Sequence, residues 1–309
     1  MKRLLYFIFL FAFINSYSQD DSIAIKTPQK AEATATKVFY SQKVINTKTV
    51  QVLPKGILEF NVSHNFGDVG GENGGIQKFY GLDNSTDVRI GFQVGLGNKL
   101  NLVAARAKGL YVTQLWELGL KYQFLHQVDN DPQHPLSLTM YVNDVVSTQP
   151  RSDPRFGETR TSFENFGDRH SQIVQVMLAK KFGKTSLQFN PLYLHTNLVA
   201  PYDQENIFAL GGAIRLPLSK KIILLADYFH PFRTQLSSDS LGKFYDPIGI
   251  GFEIVTEGHV FHLNFTNATE ILENQFTRYT KTSWSDKEFR WAFTISRNFV
   301  LFRDKKKTP

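Results

Sequence analysis

The feature that most limits what this chain can become is a hydrophobic pattern of period two, sustained over long runs. Trp116, Leu118, Leu120, Tyr122 and Phe124 alternate with Glu117, Gly119, Lys121 and Gln123. Val88, Ile90, Phe92 and Val94 alternate with Arg89, Gly91, Gln93 and Gly95, and Phe289, Trp291, Phe293 and Ile295 with Arg290, Ala292, Thr294 and Ser296. A helix would set residues two apart on opposite sides, so these runs are strands with one apolar and one polar face. The pattern predicts about twelve strands: 56–65, 86–96, 99–106, 114–124, 135–143, 171–182, 185–194, 207–216, 220–230, 245–255, 258–266 and 287–299. Most are longer than the five or six residues usual in soluble sheets. They match the roughly 9–11 residues that a tilted strand needs to cross a bilayer.

The connectors point the same way. Tight turns are expected at Gly97-Asn98, Gly183-Lys184, Pro217-Leu218-Ser219 and Glu257-Gly258. The other connectors are mostly long: 66–85, 144–170, 195–206, 231–244 and 267–286, with 107–113 a shorter one. Short turns at one end and long loops at the other are the layout of an outer-membrane barrel, where an even strand count returns both ends to the periplasm. Segment 125–134 breaks the alternation, because it falls where a tight turn belongs. Hydrocarbon offers no hydrogen bonds, so a membrane sheet must close on itself. The expected fold is therefore an all-β, transmembrane, antiparallel up-and-down β-barrel of about twelve strands, with apolar residues toward lipid and polar ones toward the lumen. A soluble β-sandwich also alternates, but it explains neither the strand lengths nor the aromatics near strand ends, such as Tyr111, Trp116, Tyr122, Phe182, Tyr193, Tyr228 and Trp291. Such aromatics suit the two lipid–water boundaries.

The flanks divide the chain further. Lys2-Arg3 followed by the apolar run Leu4–Ile14, with small Ser16 and Ser18 before Gln19, reads as a signal peptide over 1–18. Residues 19–55 are then a periplasmic N-terminal segment, 56–302 the barrel and 303–309 a basic periplasmic tail. This layout implies export to a bacterial outer membrane. The formal charge is +7, but the leader holds two of these charges and the tail a net three, which leaves +2 on the body. That is too little for a nucleic-acid-binding face. With no cysteine, disulfides, thiolate metal sites and a lipidated N-terminal cysteine are excluded.

Several stretches resemble an uncharacterised outer-membrane β-barrel family of Bacteroidetes-type bacteria. They are the run from Val38 to Phe66 with Leu-Pro-Lys-Gly at 53–56, then Phe79-Tyr80-Gly81-Leu82-Asp83, then Val88-Arg89-Ile90-Gly91 and Gly95-Leu96-Gly97-Asn98-Lys99-Leu100. The resemblance is specific over about 36–106 and implies the fold and compartment. It supplies no catalytic residue, since the family is one of unknown function.

The strand pattern places Glu59, Asp87, Arg89, Glu117, Lys121, Arg215, Asp227, Glu253 and Arg290 on the lumen side. A set so nearly balanced in sign reads as a mutually neutralising network rather than a strongly selective ring. Glu59 and Arg290 lie on the first and last strands and are expected to pair across the seam. Twelve strands spaced about 4.8 Å and tilted about 40° give a backbone diameter of roughly 24 Å, narrowed by side chains to on the order of 10 Å. Such a lumen admits small solutes unless segment 19–55 plugs it. A passive pore for small solutes is the first reading. The alternatives are a non-conducting barrel whose long loops bind partners, and a lipid hydrolase using the outward histidines His64 and His230. G-x-S-x-G and H-E-x-x-H are absent, so no enzyme is expected. No cofactor is expected, and the scattered histidines and the acidic stretch 129–131 make no metal site. Expected partners are membrane lipid, the barrel-assembly machinery and a small solute. Oligomeric state is not legible.

Overall fold

The computed structural model describes residues 35–153, 155, 159–219, 222–233 and 242–302. The expected leader 1–18, the adjoining stretch 19–34 and the tail 303–309 lie outside the described residues. Twelve strands form one sheet: β1 Ile57–Asp68, β2 Ser85–Gly95, β3 Leu100–Ala107, β4 Leu115–Leu125, β5 Ser137–Ser147, β6 His170–Phe182, β7 Thr185–Thr196, β8 Asn206–Pro217, β9 Ile222–Phe232, β10 Ile248–Val255, β11 His259–Thr266 and β12 Arg290–Val300. Each strand pairs antiparallel with its sequence neighbour, and β1 pairs with β12, so the sheet is a closed barrel. Closure leaves no strand edge unpaired. Among the described residues no helix is long and apolar enough to cross a membrane.

The period-two pattern sets which face each side chain takes. Leu118 (59% exposed), Trp116, Leu120, Tyr122 and Phe124 of β4 point outward, while Glu117, Gly119 and Lys121 are buried inward. The same holds around the wall, with Phe92, Leu187, Phe189, Phe208, Ile250 and Leu263 exposed on the outside. An apolar band this continuous is unstable in water and stable in hydrocarbon. Some strand ends move relative to expectation. β5 runs on to Ser147, β10 begins at Ile248 rather than 245, and β12 at Arg290 rather than 287. At β10 the cause is local: Pro247 cannot donate to a ladder, and Tyr245 N–H turns away to Thr280 O at 3.0 Å.

The lumen is not lined only by polar groups, contrary to the expectation from alternation. Inward-facing Val103, Tyr141, Met177, Ala179, Ala213, Ile223 and Leu225 form an apolar cluster with Val38, Phe39, Val44, Ile45 and Val50 of the N-terminal segment. A second cluster joins Ile173, Leu192, Leu194, Ile207, Ala209 and Phe229 to Ala268 and Phe276 of the β11–β12 loop. That loop contains the short helix α1, Glu273–Tyr279, all of whose residues are buried. The barrel is thus filled from both mouths, and its inward face is partly apolar because it packs against its own chain.

Segment 125–134, too long for a tight turn, has a structural use. Val128 N–H donates to His134 O at 3.0 Å to fold the turn, and Thr36 N–H donates to Gln127 O at 2.7 Å, with Ala35 bridged to Val128. The extra residues form the edge against which the N-terminal segment enters the short-turn mouth.

Candidate functional site

The site is the stopper inside the barrel and the wall that grips it. From Thr36 the chain rises into the lumen, reverses at a tight turn closed by Val44 N–H to Thr47 O at 2.8 Å, and descends to Gly56. There Gly56 N–H meets Gly95 O at 2.9 Å and β1 begins. The result is a re-entrant hairpin with its tip at 44–47. Because a hairpin this short satisfies few of its own backbone groups, the wall supplies the rest.

Asp227 on β9 holds the tip. Its Oδ2 accepts the backbone N–H groups of Ile45 (3.2 Å), Asn46 (2.6 Å) and Thr47 (3.1 Å), and its Oδ1 accepts Asn46 Nδ2 at 2.8 Å. Three successive N–H groups aimed at one carboxylate make an anion-binding concavity, here filled by the protein's own side chain. Gln188 on β7 reads the descending limb in two directions, accepting Val50 N–H and donating to Lys48 O, both at 2.8 Å. Asn101 on β3 does the same at Leu53, accepting its N–H at 2.7 Å and donating to its carbonyl at 2.9 Å. Lys121 on β4 donates to Gln42 Oε1 at 2.9 Å and to Gln51 O.

The charged centre is Glu117. It accepts from Arg89 Nη2 (2.6 Å) and Nε (2.9 Å), from Lys48 Nζ (2.8 Å) and from the Tyr141 hydroxyl (2.5 Å). Tyr141 gets this close because Gly119 has no side chain; a Cβ there would lie 2.6 Å from the ring and the hydroxyl. Lys48 also bridges to Glu273 of α1 at 2.8 Å. One ammonium on the hairpin therefore ties the wall to the loop that enters from the opposite mouth. Lys43 adds a second tie, donating to Ile271 O at 3.3 Å. Burial pushes the Lys43 ammonium down to about 8, against the pull of the Glu273 carboxylate.

The nine residues expected in the lumen all lie buried, but they are not one network. Arg89, Glu117, Lys121 and Asp227 grip the hairpin region as described. Arg215 pairs with Glu253 at 2.8 Å, and Glu253 also faces His262 at 3.3 Å. Asp87 holds the other inward loop, accepting Ile271 N–H and Gly109 N–H, each at 2.8 Å. The expected Glu59–Arg290 pair is absent. Arg290 pairs with Asp68 at 2.7 Å, and Glu59 faces Asn61 Nδ2 at 3.5 Å. The reason is register: across the seam Glu59 lies opposite Asn298 and Arg290 opposite Asp68, so the two residues sit at opposite ends of the strand pair.

Outward His64 stacks on Phe66 at 4.2 Å between ring centroids, and His230 Nδ1 faces Asp246 at 3.0 Å. Neither imidazole is bonded to a serine among the described residues. Lys48, Glu273, Asn101 and Gln188 were not anticipated. Asn101 and Gln188 do have inward parity on strands that alternation reveals, and counting uncharged amides with the charges would have found them. Lys48 and Glu273 lie in segments with no regular period.

Fold and site together define a membrane-bound β-barrel with an internally occupied lumen. Over residues 39–299 the chain matches the family described as "Membrane bound beta barrel domain (DUF5777)", and it belongs to that family. Among curated proteins none matches. Solved barrels resemble it distantly. The NanC porin has 7% identity and a TM-score of 0.44, covering 79% of this chain and 100% of its own. The KdgM porin in complex with disordered oligogalacturonate has 8% identity and a TM-score of 0.46, covering 79% and 99%. Omp33 of Acinetobacter baumannii has 9% identity and a TM-score of 0.39, covering 78% and 97%. Likeness this distant carries no information about what the present chain binds.

Proposed function

We propose that the protein is an outer-membrane barrel, delivered by its leader and the barrel-assembly machinery, that is closed at rest by its own hairpin and passes small solutes only when the hairpin withdraws. In this orientation the short-turn mouth is periplasmic and the long-loop mouth faces outward. The observation that carries the reading is the apolar seam inside the lumen. Val38, Phe39, Val44, Ile45 and Val50 bury against inward apolar residues of the wall. A permanently water-filled pore gains nothing from an inward apolar patch, whereas a docked stopper gains about 25 cal/mol for each Å² it covers. The charged grip argues that the stopper is a separable piece, because a lumen meant only to be filled is held as well or better by apolar packing. No enzymatic activity belongs to this reading, in which the outward histidines serve as boundary side chains, His64 stacked on Phe66 and His230 facing Asp246.

Single-channel recording in planar bilayers tests the proposal. The full mature chain is expected to be silent. A full-length Val44→Asp/Ile45→Asp variant, which puts two carboxylates into the apolar seam, is expected to conduct, as is the chain lacking residues 19–55. Steady conductance from the unaltered protein at the level of those variants would show that the hairpin does not close the pore.

A further inference from the structure

A groove of about 740 Å³ crosses the outer wall over β6–β9 and the start of β10, in the face turned toward lipid. Its floor is low because two outward positions carry little or no side chain, Gly212 on β8 and Ala226 on β9. Phe189 and Tyr228 flank Gly212 as its cross-strand neighbours, and both rings are exposed.

The fold itself does not call for glycine at 212. At every other glycine within a strand, an added Cβ would come closer than 3.0 Å to a neighbouring atom; at Gly211 it would strike the Phe229 ring at 2.4 Å. At Gly212 the nearest atom is Gln188 O at 3.6 Å, an ordinary contact, and its φ lies outside the left-handed region. A glycine inside a strand loses conformational entropy and packing. One that neither the backbone nor a neighbour requires marks a place where another molecule comes close.

The groove also has a cation. Half-buried Lys180 lines it from the outward face of β6, two residues from the short-turn end of that strand. Its ammonium lies 5.1 Å over the Phe182 ring and makes no ion pair among the described residues. Exposed Lys184 follows in the adjoining turn. Asp227, the other charge of the lining, is turned inward and bonded to the hairpin tip. A lysine on the lipid face is costly at the bilayer midplane and nearly free at the interface, so Lys180 belongs at headgroup level with its stem along the apolar wall. A lipid tail gains no hydrophobic energy by leaving other tails, so what holds a lipid at one place on a barrel is shape and charge. This groove supplies both.

We propose that the groove seats one acyl chain of an anionic phospholipid, with the lipid phosphate on Lys180. The chain lies over Gly212 and Ala226, between Phe189 and Tyr228. The assignment takes from the reading above only the leaflet, the periplasmic one, and its test involves no conductance.

Native mass spectrometry of the full chain released from detergent micelles tests it, with phosphatidylglycerol and phosphatidylethanolamine of the same acyl chains as probes. One phosphatidylglycerol is expected to stay bound under activation that strips the others. Phosphatidylethanolamine, which brings its own ammonium, is expected to bind about fivefold more weakly, the worth of one lysine near a membrane surface. Gly212→Phe fills the trough and is expected to lower retention of both lipids about tenfold or more, through the contacts the chain loses. Lys180→Gln is expected to bring phosphatidylglycerol down to the level of phosphatidylethanolamine and to leave the latter unchanged. Leu118→Phe, on the outward face of β4 away from the groove, is expected to change neither, and the heat-modifiable gel shift shows which variants are folded. Ala226→Leu obstructs the same trough and keeps the test open if Gly212→Phe does not fold. No phosphatidylglycerol retained beyond the others, equal retention of the two headgroups by the unaltered protein, or retention unchanged in the folded trough variants would overturn the proposal. So would a dimer that Gly212→Phe separates, since the groove would then seat a second copy of the chain.

Discussion

Asp227 gathers three consecutive backbone N–H groups of the hairpin tip onto one oxygen, and no other side chain bonds those three groups among the described residues. The charge is what makes the grip. Asp227→Asn keeps the shape and an acceptor but loses the ionic character of each bond, and bonds to charged groups are worth about 1.5–3 kcal/mol against about 0.5–1.5 for neutral ones. The expected result is a hairpin docked less tightly by about 1–3 kcal/mol in all, seen as brief openings in single-channel records where the unaltered protein is expected to give none. Records as silent as those of the unaltered protein would show that the carboxylate is not what retains the tip. The same scale explains why the seam pair was misjudged. Residues on adjoining strands are neighbours only at matching register. Glu59 and Arg290 share a seam but sit opposite Asn298 and Asp68, and the shift between Asn65 and Asp68, which settles the last pairing, has no signature in the alternation.

At the level of elements, the twelve strands were readable because each carries its own period, and every one lies within a few residues of where alternation puts it. The hairpin and the β11–β12 loop were not. They are short, irregular and held by partners far away in sequence, such as Lys48 with Glu273 and Asp87 with Ile271. No local pattern records such contacts. The connector pattern showed only that 125–134 is too long for its place, and the structure ties that excess to the N-terminal segment at the Thr36–Gln127 bond. The inward loop also carries a titratable group that a sequence gives no reason to choose. Glu270 is fully buried; Thr269 donates to its Oε2 at 2.5 Å, and its Oε1 has no partner. Burial pushes its carboxyl up to about 7, with Asp87 adding to the rise and Thr269 and Arg290 opposing it. A carboxyl raised from 4.5 to about 7 in the docked loop holds a proton there that it gives up in water. Docking is therefore strongest below pH 4.5, weakens as pH rises toward 7 and is constant above that, with a span of about 3 kcal/mol. Hydrogen exchange of amides 268–280 is expected to slow between pH 7.5 and 5 beyond the intrinsic rate change, and Glu270→Gln is expected to remove that extra slowing. An extra slowing that persists in Glu270→Gln would assign it to another group.

For the whole molecule, the consequence of filling a barrel from both ends is that the two stoppers meet. Lys48 stands between Glu117 of the wall and Glu273 of α1, Lys48 N–H reaches Glu273 Oε1 at 3.2 Å, and Thr266 at the start of the loop donates to Asn46 Oδ1 at 3.2 Å. Withdrawing the hairpin removes the ammonium from both carboxylates. Arg89 still neutralises Glu117, but the backbone N–H and the ammonium that Glu273 meets on the hairpin leave together. A buried carboxylate stripped of its cation is unstable by several kcal/mol, so α1 should loosen when the hairpin leaves, although Asn274 still donates to Ser171 O at 2.8 Å. Linkage makes this reciprocal: whatever steadies α1 from the outer mouth also steadies the hairpin, by the same free energy. In the Val44→Asp/Ile45→Asp chain, amide exchange across Glu273–Tyr279 is expected to rise at least tenfold, which corresponds to about 1.4 kcal/mol of lost protection, while β6 and β7 keep the exchange of the unaltered protein. If α1 stays as protected as before with the pore conducting, the two mouths are independent and the barrel is closed by the hairpin alone.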